Sequence, residues 1–298
     1  MAKEQNPAPL PIGNINDKHF QLFTFSLLIG QTFTYIPEYD TPEKVLAAKN
    51  AILWDILNKD NFHFFRKQGG EFVTTKLFAE GNMIGFRVAR RQEVELIDKE
   101  AHSHIEDSYP PSLIVFNVDP NTQAIAVEIA RHGLKPDEVR SLIEESLQES
   151  LDYYSLAIYL IANFDPADFW ETVREYQGKI QSIRFEIISP NMPRITEKMD
   201  AALKAYSEST GAHKTVIQLN AKRGDVLAIQ QDSEVINNLA AHASIGKGEV
   251  TLKVRRIKKR IPATKKYKIV TMRDLTLTGQ GQDVATTFKE MMRSDGEV

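Results

Sequence analysis

The stretch "SLIVFNVDPNTQAIAVEIAR", Ser112 to Arg131, decides how the rest of the chain is read. Two apolar, β-favouring runs flank Asp119-Pro120-Asn121-Thr122. Proline presets φ there, and the Asp and Asn side chains can bond their own backbone, so the residues between the runs form a turn. A turn this short folds the chain back antiparallel to itself, whereas parallel neighbours need a long crossover.

Working outward, the same grammar recurs. "TTKLFAEGNMIGFRVARRQEVELI" predicts a strand pair turning at Glu80-Gly81-Asn82, and "FQLFTFSLLI", Phe20 to Ile29, predicts a buried strand. Thr41 as N-cap, Pro42 in the first turn and Val45, Ala48, Ile52 and Ile56 at helical spacing predict a helix. Downstream, Val139, Leu142, Ile143, Leu147 and Leu151 form one helical stripe from Pro136 to Leu151. A strand in "YYSLAIYLIANF", a helix capped by Asp165 and a strand in "KIQSIRFEII" follow. Then come a helix in "RITEKMDAALKAYSESTG", two strands around the turn Ala221 to Asp225, and a short helix from Asp232 to His242. Hairpins this frequent predict an α+β fold, with mixed or antiparallel sheets and flanking helices, rather than a doubly wound parallel sheet. The length suggests two domains, 1–178 and 179–298, dividing at Gly178.

Composition narrows the class. The chain has no cysteine, which excludes disulfides and thiolate metal sites. Its start, "MAKEQNPAPLPIGN", is polar and proline-rich and reads as a loose arm, neither signal peptide nor anchor. No apolar run approaches the roughly 18 residues that span a bilayer, so the expectation is a cytoplasmic protein without membrane insertion.

The segment "KVRRIKKRIPATKKYK", Lys253 to Lys268, holds nine lysines and arginines and no acid; with the whole chain at −3, the other 282 residues stand at −12. Two β-rich arms, Glu249 to Ile261 and Lys265 to Thr278, meet at Pro262-Ala263-Thr264, which predicts a basic hairpin over 249–278. Val250, Leu252, Val254, Ile269, Leu275 and Leu277 would anchor its base, and Lys258, Lys259, Arg260, Lys265 and Lys266 would crowd its tip. Like charges ~6 Å apart cost on the order of 1 to 3 kcal/mol per pair before screening, so an anion is expected to offset them. Phosphodiester backbone suits, because it needs no recessed site, and Tyr267 among the lysines suits stacking on a base or sugar. The expected nucleic-acid contacts are Lys253, Arg255, Arg256, Lys258, Lys259, Arg260, Lys265, Lys266, Tyr267 and Lys268. Lys222 and Arg223 in a neighbouring turn, and Arg90 and Arg91, are candidates to extend the patch. Two other readings are an acidic surface, on a protein partner or in the chain's own acidic half, and lysines that shield a strand edge from aggregation.

Motifs for enzyme chemistry are sparse. In "EAHSHIED", His102 and His104 would share a face if extended, with Glu106 and Asp107 as oxygen ligands, which frames the rival reading of a metal-dependent nuclease or phosphodiesterase. The string lacks the further histidine of a His-x-His-x-Asp-His hydrolase motif and reads as a polar loop. "SIGKGEV", Ser244 to Val250, lacks Walker spacing, and no G-x-S-x-G is present. No cofactor is expected.

The strand, turn and strand of "PPSLIVFNVDPNTQAIAVEIARHG", and the strand, proline turn and helix of "IQSIRFEIISPNMPRITEKMDAALKAYSESTG", resemble the RexA-type phage-exclusion proteins and related bacterial phage-defence proteins. That resemblance implies a DNA-binding homodimer that senses phage replication and triggers an effector partner. The combined expectation is a largely sequence-nonspecific nucleic-acid binder, DNA before RNA, since no basic helix follows a tight turn as a recognition helix would.

Overall fold

The computed structural model describes residues 17–30, 33–188, 214–264, 266–273 and 281–293. The arm Met1 to Asn14, the helix expected in Arg194 to Gly211, Lys265, Leu275 and Leu277 lie outside these residues.

The fold is α+β, and every strand pair among the described residues is antiparallel. The largest sheet is built on β1 (Lys18–Ile29), long enough to pair with three partners: β7 (Ala124–Glu128), β8 (Leu156–Ala162) and β13 (Ile269–Met272). Beyond β7 lie β6 (Pro111–Asn117), β3 (Met83–Arg90) and β2 (Phe72–Glu80), for seven strands among the described residues. The hairpin of Ser112 to Arg131 is thus β6 and β7, paired from Ile114↔Val127 to Asn117↔Ala124.

This sheet is buried on both faces, which is why β6 reads as a continuous apolar run rather than an alternation. Ile114, Phe116, Ile125 and Val127 face α1 (Pro42–Asn58) and α2 (Pro136–Tyr153), meeting Leu53, Leu57, Leu142 and Leu147. Leu113, Val115, Ala124 and Ala126 face the other way, toward α5 (Gly281–Arg293) with Val284, Phe288, Met291 and Met292. Phe288 meets Phe20 edge to face at 5.3 Å between centroids. Helix starts follow their capping chemistry: Thr41 accepts from Lys44 N, and Asp165 Oδ1 accepts from Ala167 N at 2.8 Å.

A second sheet orders β10 (Lys214–Asn220), β9 (Ile180–Ile188), β11 (Gly248–Val254) and β12 (Ile261–Pro262). Its apolar face, with Ile183, Phe185, Val250 and Leu252, packs on α3 (Pro166–Glu175) and α4 (Glu234–His242) through Phe169, Trp170, Ile236 and Leu239. Phe164 to Val173, N-terminal of Gly178, belong to this second core, and β13 and α5 carry the C-terminal part back onto the first sheet. The two sheets join at Asn163: its N–H donates to Leu22 O (2.9 Å), its carbonyl accepts from Lys268 N (2.8 Å), and Phe164 N donates to Ser244 O (2.9 Å). Gly246 closes this junction with φ 73°, a conformation suited to glycine.

Three sequence expectations need correction here. Val226 to Gln230, expected as a strand, is irregular, and Leu227 N donates to Ile180 O at the start of β9 (2.7 Å). The string around His102 and His104, expected as a loop, is β5 (Ser103–Ser108), paired with β4 (Gln92–Ile97) as a separate two-stranded arm. The basic hairpin exists in a different form: β11 turns at Arg255 to Arg260 and returns only through Ile261 and Pro262, paired as Leu252↔Ile261 and Thr251↔Pro262. Pro262 occupies the edge strand, where a missing N–H does no harm, rather than the turn. Past Ala263 the chain leaves for the first sheet, so Ile269 is no anchor of this hairpin and is 44% exposed.

Candidate nucleic-acid interface

The basic segment does not form one tip; tertiary packing sorts its side chains into separate roles. Lys253 is spent on the turn itself, its Nζ donating to Ile257 O (2.8 Å) and Lys258 O (2.6 Å). Arg260 lies across the outer face of the second sheet, its Nη2 donating to Ser182 Oγ and Gln218 Oε1, both at 3.1 Å. Arg255, Arg256, Lys258 and Lys259 remain exposed in the turn between β11 and β12. Arg256 adopts φ 69°, a left-handed conformation that lets the chain reverse without glycine.

A second turn, Ala221 to Asp225, leads away from β10, and Lys222 and Arg223 on it are exposed. Arg255 joins the two: its Nη2 donates to Gly224 O at 2.9 Å and its backbone N–H to Lys179 O at 2.8 Å. The result is a double turn at one end of the second sheet that displays Lys222, Arg223, Arg255, Arg256, Lys258 and Lys259, with Asp225 as its acid. Lys179, exposed beside Arg255, is an addition that sequence reasoning missed. Only the register placing Val254 opposite Ile180 brings it there.

The remaining expected contacts fall elsewhere. Lys266, Tyr267 and Lys268 follow β12 toward the first sheet. Lys266 lies in the field of Asp168, whose carboxyl burial pushes upward while Lys266 pulls it down. Tyr267 faces Asp137, Arg140 and Glu249, and its hydroxyl is pushed above the ordinary tyrosine value, first by burial and then by Asp137. Lys268 is half-buried and bonded to Asn163 through its backbone. Lys265 lies outside the described residues. Arg90 and Arg91 do not extend the patch, since both are met by acids. Arg90 pairs with Glu138 at 3.4 Å, and Arg91 Nε donates to Asp107 at 2.8 Å with Glu71 at 3.9 Å, which holds its guanidinium above its ordinary value.

Strand alternation also divides the rival metal set. His104 and Glu106 share a face of β5, with His104 Nε2 3.2 Å from Glu106 Oε1, whereas Asp107 is on the opposite face, engaged by Arg91. His102 instead pairs with Asp98 at 3.4 Å in the connection between the strands. No group of three or more His, Asp or Glu placed to hold a metal ion occurs among the described residues. No described helix is long and apolar enough to cross a membrane.

No curated protein matches the sequence. A family model does, over residues 35–293, a span that takes in α1, the second sheet with its double turn, and α5. The chain therefore belongs to the family described as a domain of unknown function, DUF4747.

Proposed function

We propose that this protein binds nucleic acid, DNA before RNA, by laying phosphates on the double turn of the second sheet. The observation that carries this reading is the Arg255 to Gly224 hydrogen bond, which makes one surface of two exposed basic turns far apart in sequence. Six cations held on a short, backbone-tethered platform repel one another, and a phosphodiester chain relieves that repulsion while releasing its own counterions. Such contacts position a duplex without reading bases, so binding is largely independent of sequence. The resemblance to phage-exclusion proteins supplies a setting for the activity, a sensor of phage DNA coupled to an effector partner.

Polarisation titrations with duplex DNA, single-stranded DNA and RNA at several salt concentrations test the reading. With about five phosphates engaged, log affinity on duplex DNA falls against log salt with a slope of about −4 to −5. Changing Lys222, Arg223, Arg256, Lys258 and Lys259 together to Ser flattens that slope and leaves the fold intact, because all five residues are exposed. Weak binding with the same shallow slope in both proteins would refute the reading.

A further inference from the structure

Between Arg91 and Tyr109 the chain leaves the first sheet as an arm, β4 and β5, that pairs with no other strand among the described residues. A two-stranded ribbon is marginal on its own in water. This one is also apolar on both sides: Val94 and Leu96 project from one face, and Ile97 and Ile105, exposed at 71% and 69%, from the other. Its base is fixed. Arg91 Nε donates to Asp107 at 2.8 Å, and Tyr109 OH donates to Glu71 Oε1 at 3.1 Å. Six-residue strands make the arm about 20 Å long.

The charge on the arm selects its partner. Gln92 to Ser108 carries Glu93, Glu95, Asp98, Glu100, Glu106 and Asp107 against Lys99, a net −5, so two arms repel and do not pair with each other. A basic, partly apolar surface is required, and this chain owns one. The double turn offers six exposed cations; Leu219, 37% exposed, lies near the end of β10 just before one turn, and Ile257, half-buried against the second core, lies within the other.

We infer that the arm docks on the double turn of a second copy of this chain, one protomer giving its arm and receiving its partner's. Carboxylates meet Lys222, Lys258 and Lys259, while Ile97 and Ile105 cover Leu219 and Ile257. Two reciprocal contacts double the area of one, which a stable interface of roughly 1,200 Å² or more requires. The inference uses the same basic surface as the nucleic-acid reading but asks it to hold protein.

Analytical ultracentrifugation of charge-reversed chains tests this. Wild type is expected to dimerise at low salt and to dissociate as salt rises toward ~0.5 M. An arm variant, Glu95→Lys with Glu100→Lys and Glu106→Lys, and a turn variant, Lys222→Glu with Lys258→Glu and Lys259→Glu, are each expected to be monomeric. Mixed at equal concentration, they are expected to form a heterodimer, because each then finds its complement. Ile97→Ser with Ile105→Ser, which leaves charge alone, is expected to weaken dimerisation about tenfold or more. A wild type that stays monomeric at ~100 μM in low salt, well above a micromolar dissociation constant, overturns the inference. So do reversed variants that associate like wild type, or a mixture that stays monomeric. The Ile97→Ser with Ile105→Ser variant keeps both its double turn and its charge, so its titration with duplex DNA reads the nucleic-acid proposal separately.

Discussion

Arg255 reaches from the turn after β11 to the carbonyl of Gly224 in the turn after β10, donating at 2.9 Å. One side chain thereby fixes the spacing of two groups of cations separated by some thirty residues of chain. Its loss should therefore exceed the loss of one charge. Lys259→Ala is expected to reduce the salt slope on duplex DNA by about 1, the effect of a single phosphate contact, and Arg255→Ala by about 2 or more. Arg255→Lys, which keeps the charge but not the fork geometry, should fall between them. Equal slopes for all three would show that the turns act independently.

Lys253 looks like a neighbouring contact in sequence but behaves as a clamp, donating to the carbonyls of Ile257 and Lys258. Lys253→Met is expected to lower stability by about 1 to 2 kcal/mol in urea denaturation, in the range for hydrogen bonds from a charged donor at a partly exposed site. The salt slope should be unchanged.

Gly246 and Gly178 share a positive φ, 73° and 70°, yet differ in surroundings. A Cβ at Gly246 would lie 2.4 Å from Asn163 Oδ1 and 2.7 Å from Thr24 Cβ, while one at Gly178 would meet nothing within 4 Å. Gly178→Ala should cost about 1 kcal/mol from backbone strain alone, and Gly246→Ala about 3 kcal/mol or more, because the junction between the sheets must shift. Thermal melts of the two variants measure the difference.

Lys49 on α1 is half-buried, and desolvation lowers its pKa from 10.5 to about 8. With the folded value below the unfolded one, the folded protein sheds this proton first as pH rises. The unfolded chain then binds more protons between about 8 and 10.5, and stability contributed at this site increases through that window. The gap in melting temperature between Lys49→Met and wild type should shift in favour of wild type from pH 8 to pH 10.5. A constant gap would mean the ammonium is not desolvated.

Phe288 is fully buried against Phe20 and Phe78. Phe288→Ala is expected to cost about 3 to 5 kcal/mol, the range for an aromatic removed from a core, showing that α5 is part of the first sheet's core. Calorimetric or denaturant unfolding of the variant checks the value.

Local patterns determined most elements of this protein. The turn at Asp119 to Thr122, the cap at Asp165 and the stripe from Val139 to Leu151 each rest on residues close in sequence, and the α+β antiparallel fold follows from them. Helix α5 was equally legible in principle, since Val284, Ala285, Phe288, Met291 and Met292 repeat at helical spacing. The candidate site was only half legible. Sequence showed that the cations between Lys253 and Lys268 are concentrated and that Lys222 and Arg223 are near a turn. It did not show that Pro262 sits in an edge strand, that Arg256 takes a left-handed turn, or that β13 pairs with β1 rather than β11. Those outcomes depend on register between strands distant in the chain and on which sheet completes a buried face. The described residues of this one segment were therefore divided by tertiary structure into a clamp, a sheet-face arginine, an exposed basic turn and a connection between sheets.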